Sequence, residues 1–182
     1  MSSPGVQDAC KAAREGKLEE LQSLASQGVP LSTTGNNANG LGCQPIHDAI
    51  HGNNLPALKF LHSKGVPLNV ETATGWQPIH FAAYRGHLEI LQWLHEKNVP
   101  LDAVAFKTGK HPVHYASESG HADVVRWLHG QGVDINARDK SGSTSLELLC
   151  ALISSMDRPD KERVELAQWL KNPSRPSTAV AR

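Results

Sequence analysis

The sequence predicts an all-α solenoid of about five helix-turn-helix units joined by short β-hairpin loops. Three observations carry that expectation. A tetrapeptide returns as Gln44-Pro45-Ile46-His47, Gln77-Pro78-Ile79-His80 and His111-Pro112-Val113-His114, at steps of 33 and 34 residues. A second segment follows each one, best seen in Gly86-His87-Leu88-Glu89-Ile90-Leu91-Gln92-Trp93-Leu94-His95 and its copy Gly120 to His129. A turn phrase then closes the unit: Gly28-Val29-Pro30-Leu31, Gly65-Val66-Pro67-Leu68, Asn98-Val99-Pro100-Leu101 and Gly132-Val133-Asp134-Ile135. A fixed period of this length marks a stack of supersecondary units, none of which can bury its apolar face alone.

Each element follows from its residues. Pro45, Pro78 and Pro112 stand where a first helix begins, the position that tolerates a missing N–H. Ile79, Ala82 and Ala83 put small apolar groups on one face of that helix, so neighbouring helices can approach closely. Gly86, Gly120 or Asn53 then turns the chain, Asn being the usual substitute where φ must be positive. Leu88, Ile90, Leu91 and Leu94 stripe the second helix, with Trp93, Trp127, Trp169 and Phe60 in register as inter-repeat core. Gly16 to Leu24 and Glu162 to Leu170 supply degenerate second helices at the two ends, and Gly142 opens a degenerate last copy. The units span approximately residues 5–36, 40–71, 73–104, 107–138 and 140–171, one domain over 1–171, followed by a flexible Pro/Ser/Arg tail over 172–182. Two insertions interrupt the period: an Asn- and Gly-rich loop from Ser32 to Cys43, and Ser154 to Lys161, which contains the helix breaker Pro159.

The recurring helix start and the glycine-histidine turn resemble the ankyrin repeat, over roughly residues 5 to 171. The resemblance implies a stack whose hairpins and first helices line a concave groove that binds another protein. It also implies that His47, His80 and His114 are structural, each bonding the backbone of a neighbouring hairpin. Cys10 and Glu147 replace that histidine in the end units, where polar departures suit a face that meets water. The hairpin-tip aspartate of the family is kept at Asp139 and replaced by Thr72.

Catalytic and metal chemistry find little support. Eight of the ten histidines fall in repeat register, leaving His51 and His111 outside it. Equivalent residues on successive units lie too far apart to share a metal at about 2 Å per ligand. No CxxC pair joins Cys10, Cys43 and Cys150, and the glycines punctuate repeats instead of forming a phosphate loop. The expectation is therefore no enzyme, no metal and no cofactor.

The candidate partner-binding residues are those placed on the groove. Trp76 lies in a hairpin ahead of a first helix, and Tyr84 and Arg85 end that helix. Trp, Tyr and Arg are the types enriched at binding hot spots. Trp76 either braces the next hairpin or anchors a partner, and its neighbours Tyr84 and Arg85 favour the anchor. Equivalent positions hold His51 in the preceding unit and Lys110, Glu118 and Ser119 in the following one. Phe106 and Lys107 sit at the tip of a hairpin one residue longer than its neighbour.

Charge narrows the partner. Lys plus Arg number 18 and Asp plus Glu 18, evenly spread, so no basic face points to nucleic acid. The expectation is a protein partner, with no small-molecule substrate and no membrane, since no stretch approaches roughly 20 apolar residues. The N-terminal residues lack a secretion signal, and three cysteines form no framework, which suits a cytoplasmic, intracellular protein with the nucleus also open to it. The expected role is an adaptor or structural subunit of a larger assembly. Its alternatives are a regulatory inhibitor of a partner enzyme and, from another class, an enzyme or metal protein using the histidines.

Overall fold

The computed structural model describes residues 4–33 and 44–173. The Ser32–Cys43 insertion, Cys43 itself and the tail therefore fall largely outside the described residues. Among the described residues ten helices follow in pairs: α1 (Pro4–Glu15), α2 (Leu18–Ser26), α3 (Pro45–His51), α4 (Leu55–Ser63), α5 (Pro78–Arg85), α6 (Leu88–Glu96), α7 (Pro112–Ser119), α8 (Ala122–Gly130), α9 (Ser145–Ser154) and α10 (Lys161–Lys171). α3, α5 and α7 each open on the proline of the repeated tetrapeptide. α1 differs: it begins six residues before Cys10, whereas α5 begins two residues before His80.

The odd-numbered helices pack on one another in sequence, α1 on α3, α3 on α5, α5 on α7 and α7 on α9. Ala49, Ala82, Ala83 and Ala116 are fully buried between them and let the backbones come close. The even-numbered helices carry the larger stripe, with Leu58, Leu61, Ile90, Leu91, Leu94, Val124, Val125 and Leu128 fully buried. The even-numbered helices touch one another less closely than the odd-numbered ones do. The aromatic register is core in a graded way. Trp93 is buried, while Phe60, Trp127 and Trp169 pack on the core only partly covered.

The hairpins are tighter than strands. Among the described residues no strand forms, and a single isolated bridge joins Ala105 to Lys110. Two other hairpins close on two main-chain bonds each: Thr72 N to Trp76 O and Gly75 N to Thr72 O, both at 2.9 Å, and Asp139 N to Ser143 O at 3.0 Å with Gly142 N to Asp139 O at 2.9 Å. Asp139 Oδ1 accepts from Ser141 N, Ser143 N and Ser141 Oγ. Burial works against that carboxylate, yet these bonds hold its pKa below the ordinary value. Thr72 does the same work without charge: its Oγ1 accepts from Trp76 N at 3.1 Å.

The motif histidines tie the layers together. Nδ1 of His47, His80 and His114 accepts from the backbone N–H three residues earlier, at 3.0–3.1 Å. Their Nε2–H groups donate to Val70 O, Ala103 O and Ala137 O at 3.2, 3.0 and 2.9 Å. Each ring is thus a neutral imidazole with both nitrogens used. In the last unit Glu147 Oε2 accepts the Thr144 N–H at 2.8 Å, a capping box in place of the histidine. The second-helix histidines have a separate task. His62, His95 and His129 set their rings edge-on to Trp93, Trp127 and Trp169 of the following unit, at 5.7, 5.9 and 5.3 Å.

Gly86 shows why the turn residue is so restricted. Its φ of 74° lies in the left-handed region, and the His121 ring comes within 2.6 Å of where a Cβ would stand. That ring cannot retreat freely, because His121 Nε2–H donates to Tyr84 O at 2.9 Å. Asn54 reaches back in the same way to Arg14 O at 2.5 Å. Asn53, with φ of 57°, takes the glycine's place one unit earlier. Gly86→Ala should therefore destabilise the fold by about 1–3 kcal/mol, from left-handed strain and the displaced ring. Urea denaturation measures it.

Candidate partner-binding groove

Six of the nine candidate residues meet in one open groove of about 730 Å³. Trp76, Tyr84, Arg85, Lys110, Glu118 and Ser119 line it, together with Thr108, Tyr115, His121 and Leu152. The ends of α5 and α7 supply one wall, the 105–110 hairpin another, and α9 contributes Leu152. His51, Phe106 and Lys107 do not line it. His51 flanks it through Nε2, which accepts a hydrogen bond from the Arg85 guanidinium.

The wall centres on an aromatic cluster. Trp76 lies 5.0 Å from Phe81, 5.4 Å from Tyr84 and 4.3 Å from Tyr115, measured between ring centres. Tyr115 is buried and shares a 2.9 Å hydroxyl bond with Thr108 Oγ1. Its burial raises the phenol pKa, against hydrogen bonds from Thr108 and Trp76 that lower it. Trp76 thus packs against both α5 and α7 as well as forming part of the groove wall. Tyr84 is the aromatic left open, at 41% exposure.

The charges are arranged unequally. Lys110 Nζ lies 2.8 Å from Glu118 Oε2 and 5.6 Å from the Tyr115 ring centre, which holds the lysine along the wall. Arg85 has no carboxylate within ion-pair distance among the described residues; its guanidinium meets His51 and lies 6.0 Å from the Tyr84 ring centre. Burial first, and then the neighbouring Arg85 charge, lower the pKa of His51, which keeps it a neutral acceptor.

Phe106 sits in the turn between the bridged residues Ala105 and Lys110. Its ring lies over Gly75, within 2.3 Å of where a Cβ would be, so the glycine is what lets the two hairpins stack. Phe106 nevertheless stays 51% exposed, and Val104 beside it 47%. Lys107 is exposed at the same tip. Lys140 of the next hairpin donates from Nζ to Phe106 O and from its backbone N–H to Thr108 O.

Sequence reasoning missed Tyr115, Thr108, His121, Leu152 and Val104. Tyr115 follows the motif histidine, the place Phe81 takes one unit earlier. Two successive aromatics there were a visible signal. Of the two histidines outside the register, His51 meets Arg85, and His111 Nδ1–H donates to Asp102 O at 2.9 Å. Among the described residues no three His, Cys, Asp or Glu side chains gather as metal ligands would. No helix among them is long and apolar enough to cross a membrane.

Two ankyrin-repeat family models match the chain. One, described as ankyrin repeats in three copies, covers residues 46–139; the other, described as ankyrin repeats in many copies, covers 9–62 and 113–170. The chain belongs to the ankyrin-repeat family. Ankyrin repeats are generally protein–protein interaction modules, and the family is typically non-catalytic. No curated protein matches this ankyrin-repeat chain.

Proposed function

We propose that this ankyrin-repeat protein is a non-catalytic adaptor or structural subunit that holds a partner protein in the groove between Tyr84 and Glu118. The observation that carries the reading is the open Tyr84 ring beside Trp76, Arg85 and Lys110 in a groove of about 730 Å³. A solenoid closes its core through neighbouring repeats, so an aromatic left half-exposed on the first-helix face does no packing that the fold requires. Phe106 and Lys107 at the hairpin tip, with His51 at the other flank, extend the same surface. The balanced charge favours a protein over a polyanion, and the odd count of three cysteines suits an intracellular setting. Regulatory inhibition would use this surface too, with an enzyme as the partner held.

The test is affinity capture from the native source, followed by titration of the purified partner. Tyr84→Ala should weaken binding by about 2 kcal/mol, roughly thirtyfold in Kd, with an unchanged Tm. Glu89→Ala, on the exposed face of α6, should bind as the parent does. Equal affinity for all three proteins would remove the groove from consideration. Trp76→Ala is the less informative variant, because loss of its packing on Tyr115 lowers stability as well.

A further inference from the structure

We infer that the groove takes a partner segment bearing a carboxylate side chain beside a bulky apolar one, with the carboxylate on Arg85 and the apolar group against Tyr84 and Leu152. This rests on reading the groove as the partner surface and adds the chemistry of what fills it. The groove's other two charges, Lys110 and Glu118, neutralise each other at 2.8 Å, so among the described residues Arg85 leaves one positive charge uncompensated. The His51 ring accepts one guanidinium N–H and so fixes that end of the side chain. Arginine carries five donors in a planar fork, and the donors His51 leaves over match a carboxylate held by two parallel bonds.

The apolar half is adjacent. Tyr84 is open at 41%, its ring centre 6.0 Å from the Arg85 guanidinium, and Leu152 of α9 faces the same space. Ser119 and His121 are polar neighbours without charge repulsion toward a carboxylate. A nucleic acid or other polyanion fits poorly: one unpaired cation gives little counterion release, and Glu118 stands in its path.

A random peptide library displayed on phage, panned on the full chain, tests this. The expected result is enrichment of peptides with Asp or Glu next to Phe, Leu, Tyr or Trp. Synthetic copies should bind Arg85→Gln about tenfold or more weakly, the worth of a charge-assisted hydrogen-bonded pair. Panning on Arg85→Glu should switch the enriched charge to Lys or Arg. Circular dichroism melting of both variants checks that the exposed substitution leaves the fold intact. If selected peptides depend on Tyr84 yet show no acidic preference, or ignore both Arg85 variants, the chemistry assigned to the occupant is wrong. Peptides that bind Tyr84→Ala as well as the parent overturn the groove reading itself, and so does a panning that enriches nothing.

Discussion

Leu91→Ala should lower the stability of the chain by about 2–5 kcal/mol, the range for truncating a fully buried leucine. Leu91 is completely enclosed on α6, in the middle of the stack, and so is Leu128 on α8. In a solenoid a central repeat has two neighbours, and a cavity there weakens its own unit and the two interfaces that depend on it. Leu24, partly covered on α2 near the end of the array, should cost less when cut to alanine. Urea titration gives the comparison, with the midpoint moving at constant slope if the array unfolds as one unit. Equal small losses at Leu91, Leu128 and Leu24 would mean that the repeats do not share a continuous core.

Acidification should destabilise the fold between about pH 6.5 and pH 4, well before ordinary carboxylates titrate. Burial pushes the His47 and His80 pKa down to about 4 from 6.5, against the bonds to Val70 O and Ala103 O that raise it. Burial lowers His114 in the same direction. Above the unfolded pKa both states are neutral, and the full stability is present. As pH falls below 6.5 the unfolded chain takes up protons that the folded rings refuse, so stability drops until the folded pKa is reached. Each of His47 and His80 contributes on the order of 2–3 kcal/mol to that fall. Denaturation curves at a series of pH values should show the loss. His80→Gln should start less stable at neutral pH and fall less steeply. A stability that stays flat from neutral pH to pH 4.5 would mean the rings are not held neutral.

Much of the fold was legible because one physical rule repeats along the chain. Proline at the first helical position, glycine or asparagine at positive φ, and a leucine stripe are local signals, and α3 to α8 follow them closely. The ends were harder. α1 starts early because its opening proline, Pro4, stands six residues before Cys10, with Asp8 at the place that proline takes in α3, α5 and α7. The hairpins are read as short loops, and among the described residues none builds more than an isolated bridge. The groove was half legible. Tyr84, Arg85, Glu118 and Ser119 share a helix-end position that spacing alone identifies, and Trp76 stands out by type. Tyr115, on α7, escaped because its partner is a tryptophan from the hairpin ahead of α5, a contact set by how successive units stack. Phe106 was legible by its place at a hairpin tip, but the seat of its ring over Gly75 was not, because the neighbouring hairpin sets it.

The most direct measurement is hydroxyl-radical footprinting of the chain with its captured partner bound. Labelling of Tyr84 should fall on complex formation, and labelling of Phe106 should fall with it, while His95 on the second-helix layer keeps its reactivity. Tyr84 and Phe106 are both open to solvent before binding, so protection has a clear baseline. Unchanged labelling at Tyr84 together with protection along α4, α6 and α8 would place the partner on the back of the stack and contradict the account.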